Sequence, residues 1–287
     1  MKVQLQKIID FLLYSNIFIG VCAVALAFTN QLTVTGEIKF DTSCWFVFAS
    51  TVFTYSYLKS NSGKNISGTQ HRHWAASHQQ FSKNILLISL VCSVCFFLLL
   101  PLRTELIVAG LGVFTAFYGF FDIPFVKPKR KLRDYGIVKT FFVAIVWSVT
   151  TVIVPLQDSP VEPAMMVFLL LRRFLFIAAL TLVFEIKDME GDRRSNLKTV
   201  PMLLGVSNTK LLAQLILFLM MGINLVQYFL FDISLLNMAA INLSLLVSVM
   251  CIQPLKEETT EIWYYLVLDG MMVLQFIFVY LATKYWA

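Results

Sequence analysis

Charge is what this 287-residue chain has least of: Asp, Glu, Lys and Arg together make up 14% of it, about half the share in an average soluble domain. With 58% hydrophobic residues and a mean hydropathy of +0.76, that scarcity excludes a nucleic-acid-binding module, a secreted disulfide scaffold and an ordinary cytosolic enzyme. Cysteines are few and odd in number, five in all. Cys22, Cys44, Cys92, Cys95 and Cys251 all lie in apolar runs and read as small hydrophobes. Cys92 and Cys95 have CxxC spacing but lack the second pair or nearby ligand that a metal site needs. A third shortage is local. Between Asp41 and Glu105 lie 63 residues without a single Asp or Glu.

Long apolar runs fill the rest of the chain. A helix needs about 20 apolar residues to cross the hydrocarbon core of a bilayer. Runs of that kind occur near 11–29, 41–58, 84–101, 103–121, 138–157, 164–186, 210–230, 233–252 and 262–283. The expected fold class is therefore all-α, a polytopic transmembrane helical bundle of nine spans. Lys2 and Lys7 before the first run, and Ala25-Leu26-Ala27 within it, have the look of a signal peptide. Asp10 and the length of the run favour a retained span.

Basic residues set the expected orientation, because cytoplasmic loops are rich in Lys and Arg. With the amino terminus in the cytoplasm, 18 of the 23 Lys and Arg fall on the cytoplasmic side and 3 on the other, while Arg172 and Arg173 lie inside the sixth run. The expectation is a multi-pass integral membrane protein, in the inner (plasma) membrane if the source is bacterial, with lipid and not nucleic acid as its surroundings. No linker or composition shift divides it, so 1–287 reads as a single transmembrane domain. Its expected site is formed by the cytoplasmic loops 59–83, 122–137 and 187–209.

The most informative stretch runs from Glu185 to Gly205, EIKDMEGDRRSNLKTVPMLLG. Asp188 and Asp192 are four apart and Glu185 is three before Asp188, so on a helix all three carboxylates share one side. Clustered carboxylates repel unless a cation lies among them. Oxygen ligands of this kind suit Mg²⁺, which keeps waters and accepts substrate phosphates, and Arg193, Arg194 and Lys198 follow to meet phosphate charge. The same spacing also fits a polar juxtamembrane segment laced by pairs such as Lys187 and Glu190.

The string DxEGDR, followed by a basic-Thr-x-Pro segment and a Gly, closely resembles the second aspartate-rich motif of the UbiA superfamily of intramembrane prenyltransferases. Tyr118, Pro124 and the basic run Lys127–Arg133 resemble that family's segment after its fourth span. The resemblance implies nine helices around a cavity open to lipid, and transfer of a prenyl group from a prenyl diphosphate to an acceptor with Mg²⁺ as cofactor. It implies Asp188 and Asp192 as catalytic residues that hold the metal with Glu185. Lys127, Arg130, Arg194, Lys198, Arg72 and Tyr118 would bind the substrate. The donor's chain length and the acceptor are not implied.

One part of the family pattern is missing. Its first aspartate-rich motif belongs just after the second span, where this chain reads TYSYLKSNSGKN from Thr54 to Asn65. The family's two-metal arrangement cannot be assembled from such a segment. All three histidines, His71, His73 and His78, follow in the same loop. Three readings stand: a polar loop with Arg72 and Trp74 packed at the membrane interface; Arg72, Lys59 and Lys64 as fixed positive charge in place of the missing metal; or a His-ligated transition metal. Inside the bilayer, Arg172 and Arg173 on the sixth run and Asp269 on the ninth invite an ion pair, or else a cation lining a cavity. Three functions stay open on sequence: a prenyltransferase, a non-catalytic or repurposed relative binding an isoprenoid or anionic lipid, and an ion-coupled transporter.

Overall fold

A computed structural model describes residues 2–60, 70–119, 136–194 and 198–285. Among these residues there are eleven α-helices and no strand: α1 (Lys2–Tyr14), α2 (Ile17–Thr35), α3 (Thr42–Ser60), α4 (Gln70–Ser77), α5 (Gln79–Phe97), α6 (Leu102–Gly119), α7 (Gly136–Ser148), α8 (Pro163–Arg194), α9 (Val200–Leu230), α10 (Leu235–Ile252) and α11 (Gly270–Tyr285). In lipid every backbone polar group must be satisfied within the segment, which is why apolar runs of this length become helices. Seven of the described segments are long and apolar enough to cross a membrane. The remaining two expected spans are the helices α3 and α6, of 19 and 18 residues. Hydroxyl groups and Lys59 dilute the first; Arg103 and Glu105 dilute the second. Among the described residues, length and apolarity thus support seven of the nine expected spans.

The first expected span, 11–29, is broken. Asn16 adopts a left-handed conformation, φ 65°, and ends α1, so that the membrane-crossing helix begins at Ile17. The break is held from α3: the Asn16 amide donates to Ser56 Oγ at 3.0 Å, and Lys59 Nζ donates to Asn16 Oδ1 at 2.5 Å. Asn tolerates this backbone region better than most residues. The expected loop 59–83 is largely helical as well. Lys59 and Ser60 close α3, and α4 and α5 follow residues 61–69, which lie outside the described residues.

The long helices pack in sequence around the bundle. The chain of neighbours runs α5, α3, α2, α11, α10, α9, α8, α7, and the end of α7 returns to α2. That return rests on Pro155. Proline has no N–H to give to the carbonyl four residues back, and the helix relaxes through a π turn (Val149–Ile153) and a 3₁₀ turn (Val154–Leu156). The freed carbonyl of Thr151 is taken by the Asn30 amide of α2 at 2.8 Å. The carbonyl of Pro155 itself is taken by Gln31 at 3.1 Å. Nearer the start of α2, a Cβ at Gly20 would come within 2.8 Å of Val52 and 2.9 Å of Phe48. Close approach of this kind at a small residue is a usual means of packing helices in membranes. Gly20→Val is expected to destabilise the protein by about 1–3 kcal/mol, seen as a lower midpoint of thermal unfolding in detergent.

Mid-bundle, α8 carries two buried arginines. Arg172 donates to Asn224 at 3.0 Å and to Gln227. Arg173 donates to the Leu26 carbonyl at 3.0 Å and to Asn30 and Gln275 at 3.3 Å. Neither pairs with Asp269, contrary to the ion pair invited by the sequence. Neutral amides on α2, α9 and α11 take the terminal N–H groups of the arginines instead, while both Nε atoms stay buried without a partner, and the charged neighbours of Asp269 are Lys59 and Lys187.

Candidate functional site

Helix α8 does not stop at the apolar boundary near residue 186. It continues to Arg194, and its 32 residues make a rod about 48 Å long at 1.5 Å per residue. The segment expected as a loop, 187–209, is thus mostly helix on both sides of residues 195–197, which are outside the described residues. Helix α9 opens at Val200 with Thr199 as its extended cap residue and Pro201 in its first turn. Proline there costs nothing, since that N–H has no helical partner anyway. Four residues on, Gly205 has φ 78° and ψ 164°, a region open in practice only to glycine. The last glycine of the motif therefore sets the angle between the first turn of α9 and the rest.

The three carboxylates now have distinct surroundings. Glu185 is fully buried and accepts a hydrogen bond from Thr140 of α7 at 3.1 Å. Asp192 is 9% exposed. Asp188 is the open one, bonded to Lys187 at 2.6 Å and facing Lys139 of α7 at 3.7 Å. Glu185 Oε2, Asp192 Oδ2 and Thr199 Oγ1 are buried and make no hydrogen bond of normal geometry, although Thr199 stands close enough to Asp192, and the Val200 N–H to Glu185, to favour their charged forms. Buried polar atoms are nearly always satisfied, so two orphaned carboxylate oxygens two turns apart on one helix face are the feature of this site that asks for a cation. Among the described residues no group of three His, Cys, Asp or Glu side chains is placed to hold a metal unaided. The donors present fit a hard cation that brings its own waters and accepts phosphate oxygens, as Mg²⁺ does.

The other expected residues divide. Tyr118 is buried and stacked on Phe142 at 4.1 Å, within electrostatic reach of Lys139, so it stands beside the site. Arg194 is exposed and bonded to Glu190 one turn back; the expected Lys187–Glu190 pair is replaced by that one. Lys198 is exposed. Lys127 and Arg130 lie outside the described residues, as does the side chain of Arg72. Of the histidines, His78 is stacked on Trp74 at 4.5 Å. Trp74 in turn packs against Phe11, Tyr14 and Phe81, which agrees with the packing reading of that segment. The side chains of His71 and His73 are outside the described residues.

Sequence reasoning raised Lys59 as a fixed positive charge but missed Lys139 and Lys187 as cations of the site. Lys139, counted only among the cytoplasmic charges, acts on Asp188, Glu185 and Asp192 together. Lys187 lies over the ring of Tyr265 at 5.4 Å, and Lys59 over the same ring at 5.0 Å. No motif marks them. The available signal was position: each is a lone lysine within a turn of where an apolar run meets a polar one.

An all-α, multi-pass membrane protein with an acidic helix end ringed by lysines is thus the class that fold and site define. The UbiA prenyltransferase family profile matches residues 56–277, and the chain belongs to that family. Solved structures agree in fold. A UbiA homologue from Archaeoglobus fulgidus bound to GPP and Mg²⁺ is 10% identical, with 96% of this chain and 99% of that one covered at a TM-score of 0.66. A structure described for digeranylgeranylglyceryl phosphate synthase is 14% identical over 97% of both chains, TM-score 0.57. An apo UbiA homologue from Aeropyrum pernix K1 is 11% identical over 94% and 98%, TM-score 0.55. No curated protein matches the sequence.

Proposed function

We propose that this protein is a Mg²⁺-dependent prenyltransferase that moves a prenyl group from a prenyl diphosphate to an acceptor held in the bundle. Asp188 and Asp192 are its catalytic carboxylates, and Glu185 completes the metal-binding set. The observation that carries this reading is the pair of buried, unpartnered oxygens of Glu185 and Asp192 beside Lys139 and Lys187. Family membership and the GPP- and Mg²⁺-bound neighbour support it. Mg²⁺, when bound, would draw negative charge from the leaving diphosphate. Thr140 holds one oxygen of Glu185 and leaves the other free for the ion. Lys139, and Arg130, Lys127, Arg194 and Lys198 from the neighbouring segments, would neutralise the remaining phosphate oxygens. In the reaction the allylic C–O bond breaks, its electron pair leaves with diphosphate, and the acceptor's pair forms the new bond to the prenyl carbon.

The reading includes a single membrane domain over 1–287 with its amino terminus and its site in the cytoplasm. Purified protein given a prenyl diphosphate should release diphosphate with Mg²⁺ present. Removing divalent ions with EDTA should stop the release, and adding Mg²⁺ back should restore it. Turnover that survives EDTA counts against the assignment. The acid-free stretch from Thr42 to Thr104 favours a second reading, a relative that binds an isoprenoid diphosphate or another anionic lipid without turnover. Mg²⁺-dependent binding with no diphosphate release selects it.

A further inference from the structure

The acid-free segment places a cation at the mouth of the bundle. Lys59 is in the last turn of α3 and is half-buried. Its ammonium spends one of its three donors on Asn16 Oδ1. Among the described residues it makes no ion pair. Lys187 approaches the same Tyr265 ring from α8 and already has Asp188 as its partner at 2.6 Å. The two lysines are close enough for each to act on the other, with Asp269, Glu261 and Asp188 as the acids that reach Lys59. Two ammonium groups drawn together at one aromatic ring repel, and the arrangement is favourable when an anion bridges them. Lys139 closes the row on the far side of Asp188 at 3.7 Å. Lys59 and Lys187 thus stand together at Tyr265, and Lys187 and Lys139 both act on Asp188 and Asp192.

We propose that Lys59, with Lys187, binds the diphosphate directly and supplies the positive charge that a second metal ion would otherwise bring, so that this protein works with one Mg²⁺ per diphosphate. This rests on the prenyl diphosphate reading above. Asn16 sets the position of Lys59, which gives the left-handed break between α1 and α2 a role at the site. Tyr265 spaces Lys59 from Lys187 by offering its ring to both.

The test is calorimetric titration of the detergent-solubilised full chain with geranyl diphosphate and with geranylgeranyl diphosphate. Each is run in excess Mg²⁺ and then with Mg²⁺ varied. Lys59→Gln should bind about tenfold more weakly or worse, with a thermal midpoint close to that of the wild type. Lys59→Arg, which keeps the charge, should stay within about threefold. The comparison of these two variants reads charge apart from folding. Lys59→Asp should need more Mg²⁺ for the same binding and take up a second ion per diphosphate, where the wild type takes one. Unchanged binding in Lys59→Gln, or two Mg²⁺ per diphosphate in the wild type, overturns this inference and leaves the prenyltransferase reading intact. A wild type that binds neither diphosphate overturns both.

Discussion

Asp192→Asn should lower diphosphate release by at least about 100-fold, while leaving the folded protein as stable as the wild type or more so. The two expectations follow from one observation. Asp192 is 9% exposed and its Oδ2 makes no hydrogen bond of normal geometry, and a carboxylate so incompletely compensated away from water costs free energy to fold. Asparagine removes that cost. It also removes the charge and one of the two free oxygens that a cation would take. A merely structural Asp192 would give the opposite pattern, with a lower unfolding midpoint and activity lost only in proportion. Thermal unfolding and a diphosphate-release assay on the same sample separate the two. Wild-type turnover in this variant would remove the site altogether.

Lys139→Met is expected to move two quantities in the same direction for opposite reasons. Lys139 is the cation common to Glu185, Asp188 and Asp192, joined to Asp188 at 3.7 Å. Without it, three carboxylates on two turns of one helix repel more strongly, and a divalent ion relieves that repulsion. The Mg²⁺ concentration for half-maximal activity should fall. Turnover should also fall, by about 100-fold, because the cradle has lost a charge placed to meet the leaving diphosphate. A helix end that is only a salt-bridged surface would show neither change. Measuring rate against Mg²⁺ in the variant and the wild type decides between them, and a higher Mg²⁺ requirement would contradict a Lys139 that competes with the ion for the same carboxylates.

Much of this was readable in the amino-acid order, for reasons that differ by element. Apolar runs of membrane length announce helices because lipid leaves the backbone no other choice, and α8 through α11 lie where those runs are. The acidic motif could be placed because i, i+3 and i+7 spacing needs only the geometry of one helix. What stayed hidden depends on other helices. The break at Asn16 is secured by Ser56 and Lys59, 40 and 43 residues away. The partners of Arg173 are on α2 and α11, and the bundle's own amides replaced the ion pair expected with Asp269. Apolarity could not find the end of α8 either, because its last turns are polar and still helical.

The length of α8 has one more effect. A straight helix turned about its axis carries every side chain with it, so a fix at one level is a fix at all of them. Arg172 and Arg173 point about 100° apart on that rod. They are bolted to α9 on one side and to α2 and α11 on the other. Any twist of α8 would strip both guanidinium groups of their amide partners inside lipid. The arginines thus act as a key in a slot, and they hold the bearing of Glu185 and Asp192 from roughly 18 to 30 Å further along the shaft.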